Sequence, residues 1–388
     1  MKKKKNKLIY LIAGEPSGDL HGSHLIKEIK KQSKNEDFKF RGLGGPLMEK
    51  EGLSCLSPFE RLSVMGFVEV LREIFFFLKL KKEIVKDVIE LKPDKIILID
   101  YPGFNLSVAK EIKKQLNIKI YYYISPQLWA WKEKRIKKIK QYVDEMIVIF
   151  PFEVPWYKSR HFANVQYFGH PLIDLCLKTE NNPNKDIITI GLFPGSRKQE
   201  IKKHLPVLNE TISHFEKLFY DDNEFKNIKL NFLVGVVDNS SIVKKDFVLS
   251  GKSEIIFKKG SLEAYKKCNV CIVASGTATL ECAITKTPMI VIYKTSFLSW
   301  WITKKFINVK FASIVNLIAG KQIVPEFLQN ECKPHLMANQ VFKLIKTHHL
   351  ENDGKSPGVI QKEEMQNVIN KLGDGKAYKK TANFILTK

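Results

Sequence analysis

The chain has no run approaching the 18 or more apolar residues needed to cross a bilayer. A signal peptide is not expected either. Lys2–Lys5 lead into a short apolar strand and then directly into a glycine turn, with no long apolar core and no small-residue cleavage site. Six cysteines stand at 55, 176, 268, 271, 282 and 332, and only Cys268-x-x-Cys271 has metal-like or redox-like spacing. No second pair completes a zinc site, and the motif lies in a strand-like run, so these read as buried thiols in a reducing cytoplasm. A Walker lysine motif and an Asp-x-Asp in a metal position are both missing; Asp221-Asp222-Asn223 reads as a loop, and neither a metal nor a cofactor is expected. There is no 20-to-50-residue repeat and no low-complexity tract. Acid is scarce: 41 Asp and Glu face 64 Lys and Arg, for a net charge of +23. Such a field draws nucleic acid, anionic lipid or phosphorylated substrates, unless it is only a lysine-rich habit of the source.

What is present is ordinary for a soluble globular protein, with 44% hydrophobic and 27% charged residues over 388 positions. That length suits two domains. Short β-rich runs alternate with amphipathic stretches. Strands are expected at Leu8–Ala13, Phe38–Leu43, Lys95–Asp100, Lys119–Ile124, Glu145–Phe150, Ile187–Phe193, Lys229–Val234, Glu254–Phe257, Val270–Ala274 and Pro288–Tyr293. Helices are expected between most of them, among them Gly22–Lys31, Leu106–Gln115, His204–Phe219 and Thr279–Ile284. Unbroken apolar strands such as Ile96–Ile99 suit a parallel sheet covered on both faces. The order predicts an α/β protein of two Rossmann-like, doubly wound parallel-sheet domains facing a cleft. The polar stretch Lys178–Asp186 separates an N-terminal domain, 1–180, from a second domain, 186–350, and C-terminal helices in 357–388 are expected to pack back on the first domain or to be swapped in a dimer.

Three glycine turns follow strand-like runs and open helix-like ones: Ala13–Asp19, Leu192–Arg197 and Ser275–Glu281. A helix N-terminus offers free N–H groups and a positive dipole end, which suit phosphate. Asp100 stands at the tip of its strand, where a base could take a proton from an acceptor hydroxyl; it could equally cap the turn before Pro102. Glu15, Ser17 and Asp19 suit sugar hydroxyls, or the capping of the helix at Gly22–Lys31. The Arg197 guanidinium could pair with a diphosphate and offset leaving-group charge. Ser275, Gly276 and Thr277 add hydroxyls and close backbone, and Glu281 could meet a ribose or simply face solvent.

The segment Phe67–Leu80 has ten apolar residues in fourteen, with Glu69, Arg72 and Glu73 on one narrow stripe. As a helix it would be about 21 Å long, too short to span a bilayer. It reads as buried core or as a face for acyl chains and a bilayer surface, with Leu71, Phe75 and Phe76 on it and Lys79, Lys81 and Lys82 beside it. Phe297–Lys305 has a similar aromatic and basic character, and the basic helix after Trp129-Ala130-Trp131, with Arg135, Lys137, Lys138 and Lys140, could bind a phosphate or simply be solvated.

Taken together, these motifs resemble lipid-A-disaccharide synthases. The residues that carry the likeness are Ala13–Asp19, Val64–Val70, Ile99–Asn105, Ser125–Trp131, Phe150–Glu153, Gly169–Pro171, Pro194–Arg197, Ala274–Ala278 and Val315–Ala319. The likeness runs from about residue 8 to 332 and more weakly to Leu386. It implies a GT-B glycosyltransferase, inverting and metal-independent. Such an enzyme joins UDP-2,3-diacylglucosamine to 2,3-diacylglucosamine 1-phosphate, making a β-1,6-linked disaccharide and releasing UDP. The resemblance implies a peripheral place on the inner face of the cytoplasmic membrane, held by anionic lipid. It makes Asp100 the essential acid, with Glu15 and Ser17 in the catalytic set. Arg197, Ser275–Thr277, Glu281 and Asn316 would lie on the nucleotide side, and Met65, Phe67, Leu71, Phe75 and Phe76 on the acyl or membrane side. Family members can form homodimers that exchange C-terminal segments. One departure is visible: the family usually has a second acid where this chain has Gly103. The residues alone leave open another GT-B UDP-sugar enzyme, an epimerase or a transferase. They also leave open a basic nucleic-acid-binding protein, although no binding motif for nucleic acid is present.

Overall fold

The computed structural model describes residues 6–33, 37–57, 70–176, 186–236, 242–259, 261–296, 309–350 and 356–388. These form two compact units, one of Met1–Asp174 with Gly373–Lys388, the other of Leu175–Leu372. The expected C-terminal segment 357–388 is thereby divided between them.

The first unit is a seven-stranded sheet in the order β3-β2-β1-β4-β5-β6-β7, with every pairing parallel. Its strands are β1 (Asn6–Ala13), β2 (Asp37–Leu43), β3 (Leu53–Cys55), β4 (Lys95–Ile99), β5 (Ile120–Tyr123), β6 (Glu145–Val148) and β7 (Val165–Tyr167). Its helices are α1 (Pro16–Gln32), α2 (Pro46–Lys50), α3 (Val70–Leu91), α4 (Pro102–Lys113), α5 (Ile136–Tyr142) and α6 (Glu153–Lys158); α7 (Pro171–Cys176) leads out of it. Side chains alternate across the pleat, so one strand feeds two cores. Tyr10 and Ile12 of β1 pack with Leu80, Ile84 and Val88 of α3 and with α4. Ile9, Leu11 and Ala13 face the other way, onto Leu25, Ile26 and Ile29 of α1. Each fully buried aliphatic or aromatic side chain contributes about 1.5–3 kcal/mol by leaving water.

The second unit repeats the plan with six parallel strands in the order β10-β9-β8-β11-β12-β13. These are β8 (Ile187–Phe193), β9 (Lys229–Val236), β10 (Glu254–Lys259), β11 (Val270–Ala274), β12 (Met289–Tyr293) and β13 (Glu326–Leu328). Its helices are α8 (Lys198–Asp221), α9 (Ser261–Tyr265), α10 (Thr277–Ile284), α11 (Ile314–Ala319), α12 (Pro334–Leu350) and α13 (Pro357–Lys371). Along α8 the buried residues Ile201, His204, Leu208, Thr211, Ile212, Phe215 and Phe219 recur at three- and four-residue spacing. That stripe drives the helix onto the sheet. Cys268, Cys271 and Cys282 are buried thiols.

The last helix, α14 (Ala377–Thr387), belongs to the first unit and packs on α1. Its first turn is capped by Asp174, whose two carboxylate oxygens accept from the Ala377 and Tyr378 N–H groups, each at 3.0 Å. Among the described residues no helix is long and apolar enough to cross a membrane.

Candidate active site

In each sheet the strand order reverses once, between β1 and β4 in the first unit and between β8 and β11 in the second. Chains leave a doubly wound sheet in opposite directions there and open a crevice at the strands' carboxyl ends. The register sets Ala13 beside Ile99 and Phe193 beside Val273. Gly14 and Asp100 therefore emerge together from the first sheet, and Pro194 and Ala274 from the second.

At the first switch point Asp100 and Tyr101 both have left-handed backbone, with φ of 45° and 48°. For two successive non-glycine residues this costs about 1–3 kcal/mol each. The surroundings hold the kink in place. The Asp100 carbonyl accepts from Asn105 Nδ2 at 2.7 Å and from the Tyr122 hydroxyl at 2.6 Å. The Tyr101 ring lies over Gly14 so closely that a Cβ there would meet ring carbon at 2.4 Å. Glycine at 14 is thus required by a close approach. Burial, followed by the charge of Glu15, pushes the Asp100 carboxyl up to about 6. That places a base near neutrality, as proton abstraction requires.

Glu15 and Ser17 are exposed at the start of α1. Pro16 occupies the first helical position, and no described side chain caps the helix. Asp19 is buried and does not cap its own helix, one of the two readings open to it. Its oxygens accept from the Gly45, Leu47 and Met48 N–H groups at 3.0, 3.1 and 2.9 Å, and so it caps α2. Gly103 is exposed, and a Cβ at that position would meet nothing within 4 Å.

Two loops beside this tip are tied by Glu153, a residue whose motif is visible in the sequence but whose role is not. Glu153 is fully buried. One oxygen accepts from Trp129 Nε1 at 3.2 Å, the other from the Ile149 and Phe150 N–H groups at 3.3 and 3.0 Å. It joins the segment after β5 to the turn after β6. Burial pushes its carboxyl up to about 8, against those three donors and the Ser125 hydroxyl.

Helix α3 begins at Val70 among the described residues and runs on to Leu91, well past the expected end at Leu80. Phe76 and Phe77 pack against the core, and Phe77 lies 5.7 Å from Phe104 and 6.2 Å from Tyr101 between ring centroids. Phe75 is 73% exposed and Leu78 45%. The side chain of Leu71, Met65 and Phe67, and the stretch Phe297–Lys305, lie outside the described residues.

At the second switch point Gly195 has φ of 102°, which glycine adopts without strain. Arg197 caps α8 through its backbone, and its guanidinium is 79% exposed, bonded to Glu200 at 2.8 Å. An exposed pair of this kind contributes about 0–1 kcal/mol, so a bidentate phosphate competes with it easily. Gly276 precedes α10, and no described side chain caps that helix. Thr277 is exposed on its first turn; Glu281, one turn further, is half-buried.

The Ser275 hydroxyl donates to the Ala312 carbonyl at 2.7 Å. Asn316, expected on the nucleotide side, is fully buried. Its Nδ2 donates to Val324 O and Glu326 Oε1 at 2.9 and 2.7 Å, and its Oδ1 accepts from the Ile323 and Val324 N–H groups at 2.8 and 3.0 Å. Glu326 was not singled out from the sequence. It also takes the Ala312 and Ser313 N–H groups, each at 2.9 Å, and the Ser313 hydroxyl at 2.7 Å. Asn316 and Glu326 together shape the loop that the Ser275 hydroxyl grips. Among the described residues no group of three or more His, Cys, Asp or Glu is placed to hold a metal ion.

Solved structures share this architecture across both units. The calicheamicin glycosyltransferase CalG4 aligns with a TM-score of 0.60 at 9% identity, over 99% of this chain and 98% of its own. The UDP-GlcNAc 2-epimerase of Neisseria meningitidis aligns with 0.62 at 12% identity, over 99% and 100%. The fold is therefore that of GT-B glycosyltransferases and sugar-nucleotide epimerases, α/β with two parallel sheets. Sequence decides between them. The family model described as lipid-A-disaccharide synthetase matches residues 9–381. Lipid-A-disaccharide synthase 1 of Legionella pneumophila (strain Philadelphia 1) is 39% identical over 360 residues, 90% of each chain. The lipid-A-disaccharide synthase of Coxiella burnetii (strain RSA 331) is 35% identical over 378 residues, 95% of this chain and 93% of its own. The chain belongs to the lipid-A-disaccharide synthetase family: it is a glycosyltransferase of lipid A disaccharide synthesis.

Proposed function

We propose that the chain transfers diacylglucosamine from UDP-2,3-diacylglucosamine to the 6-hydroxyl of 2,3-diacylglucosamine 1-phosphate by one inverting displacement. The acceptor oxygen attacks the anomeric carbon. The bond from that carbon to the β-phosphate oxygen breaks, and its electron pair leaves with UDP. The hydroxyl proton passes to the Asp100 carboxylate. The observation that carries this reading is the Asp100 tip, a desolvated carboxyl pushed up to about 6 on a strained strand end. Glu15 and Ser17 beside it would hold acceptor hydroxyls. Arg197 and the turns at Gly195 and Ser275–Thr277 would receive the diphosphate, and Glu281 the ribose. Asn316 would act there through the loop it shapes. Phe75 and Leu78, flanked by the exposed Lys79 and Lys82, support a peripheral hold on the anionic inner face of the cytoplasmic membrane. A homodimer is compatible with this reading and is not required by it.

The test is turnover by the purified chain. Both acylated substrates should give disaccharide 1-phosphate and UDP in equal amounts, with the new linkage β. Turnover of non-acylated UDP-GlcNAc in place of the acylated donor would overturn the substrate assignment. Failure to sediment with anionic vesicles at low salt would remove the membrane face.

A further inference from the structure

His204 lies on the second turn of α8 and is 1% exposed. Its Nδ1 is 2.8 Å from the Pro194 carbonyl, in the turn after β8. Its Nε2 accepts the Lys294 N–H at 2.9 Å, just past the end of β12. A backbone N–H can only donate and a carbonyl can only accept. The tautomer is therefore fixed, with the proton on Nδ1 and the lone pair on Nε2. Both nitrogens are used, and neither bond points to solvent. The sheet order makes the span informative: β8 and β12 are not neighbours but flank β11 on its two sides. The imidazole thus ties the turn after β8 to the chain leaving β12, across the strand whose tip carries Ser275.

We propose that His204 is a positioning residue for the donor. It holds the Pro194–Arg197 turn in register with the chain beyond β12, so that Gly195, Ser196 and Arg197 meet a nucleoside diphosphate already arranged. This rests on the reading above that the diphosphate sits at that turn. His204 touches no ligand itself. Its effect falls on donor affinity, because a loosened turn must be ordered when the diphosphate binds.

The experiment measures UDP affinity and the KM of each substrate for wild type, His204→Leu and His204→Gln, with melting curves alongside. Leucine leaves the Pro194 carbonyl and the Lys294 N–H unpaired. It should raise the UDP Kd and the donor KM about tenfold, near 1.4 kcal/mol. The acceptor KM and kcat should stay within about threefold. Glutamine keeps one donor and one acceptor and should recover most of the loss. Should the leucine protein fail to fold, His204→Asn takes its place; its shorter amide reaches at most one partner, and its UDP affinity should fall below that of the glutamine variant. Wild-type UDP affinity in a folded Leu or Asn variant overturns the proposal, and so does an equal rise in the donor and acceptor KM. An Arg197→Ala control separates the two levels. If Arg197→Ala binds UDP as wild type does, the diphosphate reading falls and takes this role with it. If Arg197→Ala weakens UDP and the His204 variants do not, only the positioning role falls.

Discussion

Replacing Asp100 by Asn should stop the enzyme and stabilise it. The carboxyl is pushed up to about 6 from an ordinary 3.8, chiefly by burial and then by the Glu15 charge. A rise of about two units at about 1.4 kcal/mol each means that charging this group in the folded protein costs near 3 kcal/mol. An acid whose folded pKa lies above its unfolded one contributes most stability below the unfolded value. It loses that stability as pH climbs through the folded value. Above pH 6 the wild type therefore carries the full cost, and below pH 4 it carries none. An amide keeps the shape without the charge. Allowing for its imperfect match to a carboxyl, Asp100→Asn should gain about 2 kcal/mol at pH 8 and nothing near pH 4. At about 2–4 °C per kcal/mol for a unit of this size, the melting point should rise by about 4–8 °C at pH 8. Activity should fall by about 10²–10⁴, the usual worth of a positioned base. Differential scanning calorimetry at the two pH values, with initial rates at pH 8, decides it. A melting point at or below wild type at pH 8 would refute the desolvation argument. A rate above a tenth of wild type would refute the assignment of the base.

Glu15→Gln removes the second cause of the Asp100 shift, so the acid limb of kcat/KM should move to lower pH. That limb staying in place would mean the two carboxyls do not interact. Gly103→Glu enters open space near the N-terminus of α4, where an acid is favoured; the melting point should hold or rise slightly and kcat should stay within threefold. A large gain in kcat would instead identify position 103 as the seat of a missing base. Glu153→Ala should destabilise by about 1–3 kcal/mol, because it leaves the Trp129, Ile149 and Phe150 N–H donors without their acceptor. A neutral result in urea denaturation would contradict those hydrogen bonds.

The long strands were legible because most are largely apolar runs of four to eight residues, and the alternation with helices was enough for the doubly wound class. Leu53–Cys55, Val165–Tyr167 and Glu326–Leu328 were not. Three residues at or near a sheet edge show no period to detect. Helices α1 and α4 begin four to six residues before the expected starts, since Pro16 and Pro102 open them directly on the glycine and aspartate turns. Asp100 could be found because a strand tip is a local feature. The role of Asp19 was not legible because the N–H groups it caps lie 26 to 29 residues away. Glu326 escaped for the same reason and because its strand was itself unseen. The role of His204 depends on β12 lying two strands from β8, which only the sheet order reveals.

The two switch points differ in how they are built, and the difference fits the proposed division between chemistry and binding. At Gly195 and Gly276 the backbone turns with positive φ at glycine, so the second unit makes these turns at little conformational cost. At Asp100 and Tyr101 the same kind of turn is made by two residues that resist it, and a carboxyl is desolvated besides. Asn105, Tyr122 and the Gly14–Tyr101 contact offset this strain, which a structural cap would not need. Glycine at 100 and 101 would relax the backbone but leave no base at the strand end. A phosphate-binding turn needs only N–H groups and room, whereas proton removal needs one side chain held where solvent cannot stabilise its charge. The concentration of strain and desolvation at one strand tip is what supports the proposal of Asp100 as the base.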